Sequence, residues 1–166
     1  MSVRPGAPYS DRVEDDGRLL IYEGHDIPKT KDGPNPKMMD QPFRHLGGSL
    51  TQNGLFYEAA ESRKHNEAYS REYVRVYEKI RDGIWVYNGV FELIDAWQEY
   101  DGQRNVFKFK LQLIETDIHE TQQMSPLEHS RFIPSSVKLE VWKRDKGQCV
   151  KCGSTSNLHF DHIIPY

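Results

Sequence analysis

Three consecutive β-type segments constrain this chain more than anything else in it. "YVRVYEKI" alternates Val74, Val76 and Glu78 against Arg75, Tyr77 and Lys79. "GIWVYNGVFELIDAW" and "NVFKFKLQLIE" follow, rich in β-branched and aromatic residues, and Asp-Gly pairs at 82–83 and 101–102 mark the turns. Strands joined this tightly pair antiparallel, in a sheet or a small barrel. In "VFKFKLQLI" one face carries Phe107, Phe109, Leu111 and Leu113. The other carries Lys108, Lys110 and Gln112, the pattern of a half-buried strand with a basic outer face open to solvent or phosphate.

The preceding residues supply the partners for such a sheet. "LLIYEG" (Leu19–Gly24) reads as a further strand, and "SLTQNGLFYEAAESRKHN" as a helix with Leu50, Leu55, Phe56, Ala59 and Ala60 on its apolar side. Between them, Pro, Gly and Asn recur through "KTKDGPNPKMMDQPFRHLGG", which predicts a long ordered loop. Its Lys29, Lys31, Lys37, Arg44 and His45 suit either a nucleic-acid groove or plain solvation. Residues 116–133 are polar and poor in pattern, a linker. A new segment begins at "IPSSVKLEVWKRDKGQC", where Pro134, Ser135 and Ser136 offer a helix start and Val137, Leu139, Val141 and Trp142 a buried side.

A chain of 166 residues suffices for one core and a small appended module. With 22 Lys+Arg against 25 Asp+Glu, bulk charge does not coat a polyanion. The positive charge is local instead. Arg131, Lys138, Lys143, Arg144, Lys146 and Lys151 face only Glu140, Asp145 and Asp161 in the last stretch. Neither a secretory h-region nor a membrane-length apolar run is present, which predicts a cytoplasmic protein without a membrane partner. In that compartment the two cysteines, Cys149 and Cys152, suit a metal or redox role better than a structural disulfide.

The chemistry concentrates in "CVKCGSTSNLHFDHIIPY" (149–166). The Cys-x-x-Cys turn presents two thiolates to one side of a tetrahedral Zn²⁺, half of the usual ligand set. Asp161 offers a hard oxygen suited to Mg²⁺ or Mn²⁺, and His162 an imidazole able to take a proton from water. With "VKLEVWKRDKGQCVKCG" in front, the segment resembles the opening of HNH (ββα-metal) endonucleases, whose "W-x-R-D-x-G-x-C-x-x-C" precedes a hairpin carrying "D-H-I-x-P". The resemblance implies His162 as general base, Asp161 as a catalytic-metal ligand, and Cys149 with Cys152 as half of a structural zinc site. His159, two residues before Asp161, is an accessory candidate on the same strand face. The family's later elements do not follow within these residues, so this chain alone is not expected to cut DNA.

Residues 4 to 115 resemble the SRA (SET- and RING-associated, or YDG) domain in their order of elements. The series runs from "PYSDRVEDDGRLLIYEGHD" through "LTQNGLFYEAA" and the "VRV" strand to a "Y-x-G-x-[FY]" turn and an "F-K-F-x-L" closing strand. The family's Tyr-Asp-Gly stands here as Tyr87-Asn88-Gly89. The resemblance implies a PUA-like β-barrel that flips a modified cytosine between two aromatic rings and holds its Watson–Crick edge with a carboxylate. Carried over by position, Tyr9 and Tyr22 are the rings, and Asp11 the carboxylate, with Asp15 or Asp16 as alternatives; Glu23 and Gly24 line the same pocket. Tyr22 equally suits a core aromatic, and Tyr9 a cap on the barrel.

The expected fold is therefore α+β: an SRA-like β-barrel with flanking helices over 1–115, a linker over 116–133, and the N-terminal part of an HNH module over 134–166. The two resemblances together imply a modification-dependent restriction endonuclease acting on double-stranded DNA with 5-methyl- or 5-hydroxymethylcytosine. An HNH site nicks one strand, which implies a homodimer for a double-strand break. The alternative is a non-catalytic module that binds modified bases or RNA, with a structural zinc knuckle.

Overall fold

The three β segments form the meander that their alternation predicts. The computed structural model describes residues 1–3, 6–65, 71–114, 133–156 and 158–160. Strands β3 (Tyr73–Arg81), β4 (Ile84–Tyr100) and β5 (Asn105–Leu113) pair antiparallel in succession. At both hairpins the glycine of the Asp-Gly pair takes the left-handed backbone the turn needs, Gly83 at φ +79° and Gly102 at φ +101°. β4 is 17 residues long and serves both neighbours. Register shifts at Val76/Tyr77 and Leu93/Asp95 bend the sheet as it passes.

Strand β2 (Leu19–Glu23) adds to the free side of β5, and the short β1 (Arg12–Glu14) to β2, giving the order β1-β2-β5-β4-β3. With helices α1 (Gln52–His65) and α2 (Ser135–Arg144) this is an α+β fold built on a curled antiparallel half-barrel. The first two residues bridge its open seam. The Met1 amino group donates to the Tyr77 carbonyl at 2.9 Å, and the Lys79 N–H donates back to the Met1 carbonyl at 3.0 Å. The Ser2 N–H then reaches Asp11 Oδ2, beside β1, at 2.9 Å.

The inner face buries Leu20, Val76, Phe91, Leu93, Phe109 and Leu111 against α1. Thr51 caps that helix, its hydroxyl accepting the Gly54 N–H at 3.2 Å. Phe56 meets Phe109 edge-on, ring centroids 5.5 Å apart. Gly54 is required here, because a Cβ would stand 2.3 Å from the Phe43 carbonyl oxygen. Leu55, expected on the apolar side, points outward instead.

The basic outer face expected for β5 is not open. Lys108 is only 2% exposed, because Glu23 lies opposite it in the β2–β5 register and accepts from its ammonium at 2.9 Å. The N-terminal segment closes over the pair, with the Ser10 carbonyl 3.3 Å from the Lys108 nitrogen. Helix α2 starts at Ser135, after Pro134, as predicted. Its buried residue is Lys138 rather than Val137, because the carboxylate of Glu78 waits beneath it on β3. Of the expected linker, only Ile133 lies within the described residues. No helix among the described residues is long and apolar enough to cross a membrane.

Candidate functional site

A cavity of about 320 Å³ opens between the inner face of the sheet and α1, lined by Leu20, Tyr22, His25, Asn53, Phe56 and Phe109 among others. That volume falls at the low end of small-molecule sites, roughly 300–1,000 Å³. Tyr22 reaches it because β2 alternates: Leu20 and Tyr22 face inward, Ile21 and Glu23 the other way. Its ring lies 6.4 Å from that of Phe109. Burial pushes the Tyr22 phenol well up from its ordinary value, and Asp11, Tyr9 and Glu23 push in the same direction, so it stays a neutral hydroxyl.

That hydroxyl lies 3.1 Å from His25 Nε2, with the two rings edge to face at 5.9 Å. His25 is held in turn by its main chain. The buried Asn53 accepts the His25 N–H and donates to the His25 carbonyl. Neither His25 nor Asn53 stands out in the sequence, although both sit in the quoted "IYEGHD" and "LTQN" segments. The signal available was His25 itself, three residues beyond the candidate ring of Tyr22.

The other expected pocket residues frame Tyr22 from behind and are not among the residues lining the cavity. Asp11 accepts the Glu23 N–H on Oδ1 at 3.0 Å and the Ser2 N–H on Oδ2. Burial nevertheless pushes its carboxyl above the ordinary value. Glu23 is buried and accepts from Lys108, from the Ser10 N–H at 2.9 Å and from Arg104 at 3.4 Å. Gly24 is buried because Asn53 and Gln41 crowd it; a Cβ there would stand 2.7 Å from an oxygen of each.

Tyr9 lies under the Lys37 ammonium, 4.0 Å above its ring, while Lys37 pairs with Asp26 at 2.8 Å. Asp15 and Asp16 form the turn between β1 and β2, both at φ +48°, at the far end of β2 from Tyr22. The carboxylates expected at a base edge are therefore spent on main-chain groups or on a turn, and the polar residues that line the cavity are Tyr22, His25, Gln52, Asn53, Arg75 and Tyr77, with the Asn53 amide taken up by the main chain of His25 and Pro42.

At the other end of the chain, α2 runs into a tight cysteine turn. Gly147 (φ +67°) lets the chain reverse against Trp142, whose indole would stand 2.8 Å from any Cβ there. The Cys149 N–H donates to the Ser154 carbonyl, and the Gly153 N–H to the Cys149 carbonyl, each at 2.8 Å. Main-chain N–H groups of Cys152 and Lys151 also point at the Cys149 sulfur and hold its thiol below the usual cysteine value. This donor set fits one half of a tetrahedral Zn²⁺ site. No group of three or more metal-binding side chains occurs among the described residues. Asp161 and His162 lie outside the described residues. His159 is exposed and borders a second cavity of about 830 Å³, lined by the β3–β4 hairpin, by Lys138 and Trp142 of α2, and by Thr155, Leu158 and Phe160.

No family model and no curated protein matches the chain. Among solved structures it is similar to the SUVH5 SRA domain in complex with fully methylated CG DNA, at 28% identity over 65% of this chain and 59% of that one, with a TM-score of 0.43. The same domain bound to fully hydroxymethylated CG DNA aligns at 24% identity over 74% and 67%, with a TM-score of 0.46. With hemi-methylated CG DNA the values are 23% over 70% and 66%, and 0.43.

Proposed function

We propose that this chain is a reader of modified cytosine in duplex DNA, the specificity half of a modification-dependent restriction endonuclease. The observation that carries the reading is the position of Tyr22 in the wall of a ligand-sized cavity. Tyr22, His25, Gln52, Arg75 and Tyr77 bring polar side chains to its lining, while Leu20, Phe56, Phe109 and Leu111 supply apolar wall. A flipped pyrimidine has the matching character: a flat face to stack, one polar edge, and a small C5 substituent for the apolar side. Extrusion from the duplex costs roughly a few kcal/mol, which stacking and satisfied hydrogen bonds must return. The SRA-like order of elements along the chain supports the same ligand.

Cleavage would fall to the segment after α2 in a protein that carries the complete nuclease module. Mg²⁺ or Mn²⁺ bound there would polarise the scissile phosphate. Asp161 would hold that ion, His162 would accept the proton of the attacking water, and Cys149 with Cys152 would brace the hairpin through Zn²⁺. A homodimer would place two such sites on the two strands, in the cytoplasm where invading DNA arrives.

The test is binding to three matched duplexes carrying cytosine, 5-methylcytosine or 5-hydroxymethylcytosine at one position, at fixed salt. Preference for a modified duplex is expected, with a loss of roughly tenfold or more in Tyr22→Ala, since stacking on one aromatic ring contributes about 1–3 kcal/mol. Equal, salt-sensitive binding to all three, or tighter binding to RNA, overturns the reading.

A further inference from the structure

Asn88 bridges two oppositely charged side chains that water does not reach. Glu78, on β3, is 0% exposed, and Lys138, on α2, is 3% exposed. The Lys138 ammonium donates to Glu78 Oε2 at 2.8 Å and to Asn88 Oδ1 at 2.9 Å. Asn88, on β4, donates through Nδ2 to the same Glu78 oxygen at 3.1 Å. Ser135, in the first turn of α2, donates to the other Glu78 oxygen. Two strands and one helix thus meet in one polar cluster.

The amide suits the middle position. It accepts from the ammonium with its oxygen and donates to the carboxylate with its nitrogen. An aspartate would lose the donor and set a second negative charge beside Glu78, with one cation for two anions. Asn88 in place of the aspartate of Tyr-Asp-Gly thereby acquires a physical reason. The cluster also selects one helix rotation, because a shift of one residue along α2 would turn Lys138 about 100° away from Glu78.

We propose that Glu78, Asn88, Ser135 and Lys138 form a docking lock that fixes α2, and the Cys149–Cys152 turn after it, to the sheet that carries Tyr22. A buried ion pair adds little net stability over an apolar contact, but it penalises every other arrangement, which is the property a lock needs. One consequence rests on the nuclease reading above: the spacing between the base that is read and the phosphate that is cut follows from this interface and not from the length of residues 115–132.

Hydrogen exchange by mass spectrometry on the whole chain tests the lock. Amides of residues 135–144 are expected to be protected in the wild type and to exchange about tenfold faster or more in Asn88→Asp, while peptides 19–25 and 105–113 keep their protection. Lys138→Met leaves the buried Glu78 carboxylate without its cation for as long as α2 stays docked, so it too should release α2 with the sheet intact. Unprotected α2 amides in the wild type, or unchanged protection in both variants, overturns the lock. Binding of the 5-methylcytosine duplex on the same samples separates the two readings: its absence in the wild type removes the reader and leaves the exchange result standing.

Discussion

Asn53 grips His25 by both of its main-chain polar groups, accepting the N–H at 2.8 Å and donating to the carbonyl at 2.9 Å. The grip fixes the residue that meets the Tyr22 hydroxyl, so helix α1 sets the polar end of the cavity through a single side chain. Asn53→Ala leaves two main-chain groups without partners and should cost about 1–3 kcal/mol. Asn53→Asp keeps the acceptor and loses the donor, and should fall between. Urea unfolding read by tryptophan fluorescence ranks the three proteins.

Gly24 tolerates no side chain. An alanine methyl would press on Asn53 and Gln41 at 2.7 Å and on Phe107 Cβ at 3.0 Å. Gly24→Ala should lower stability by about 1–3 kcal/mol. Gly47, where nothing lies within 4 Å, is the matched control and should unfold like the wild type. Thermal melts of the two variants side by side give the comparison.

The Glu23–Lys108 pair should behave as a buried ion pair. Lys108→Met takes the nearer cation from the Glu23 carboxylate, leaving it Arg104 at 3.4 Å and the Ser10 N–H, and should cost about 3–5 kcal/mol. Adding Glu23→Gln removes the stranded charge and should recover part of the loss. Lys110→Met, at a half-buried position, should change little. Chemical denaturation midpoints for the three variants decide.

Glu78 gives the α2 interface an acid limit. Burial alone would raise its carboxyl, but hydrogen bonds from Lys138, Ser135 and Asn88 outweigh that and hold it below its ordinary value. A depressed folded value contributes stability above the unfolded glutamate pKa, about 4.3, and the contribution is lost as pH falls through the folded value. Protection of α2 amides should therefore hold at neutral pH and fall below about pH 4. In Glu78→Gln that dependence should flatten, which exchange at a series of pH values, corrected for intrinsic rates, will show.

The meander was legible because its information is local: Val74–Val76 alternation, Asp82-Gly83 and Asp101-Gly102 all act within a few residues. Pro134, directly before α2, marks that helix start by the same kind of short-range preference. Lys108 was not legible. Alternation put it on a wet face, and only Glu23, 85 residues away, makes its burial tolerable. The same holds for Lys138, buried by Glu78 from 60 residues away. Tyr22, expected either as a stacking ring or as a core aromatic, lines the cavity, but Asp11, a carboxylate at a suggestive spacing, is engaged by the N–H groups of Ser2 and Glu23. Spacing along a chain does not say which side chains the main chain has already claimed.

The pairing of β2 with β5 joins residues 19–23 to residues 108–112. During synthesis β2 is made early, and although β1 can pair with one of its edges at once, the edge that meets β5 has no partner until almost the whole meander has left the ribosome. By the time β5 emerges, its partner is already present, so the edge flanked by Phe107, Phe109 and Leu111 is covered as soon as it is made. A fragment beginning after residue 24 would lose that protection and display a long apolar edge, and its characteristic failure would be aggregation.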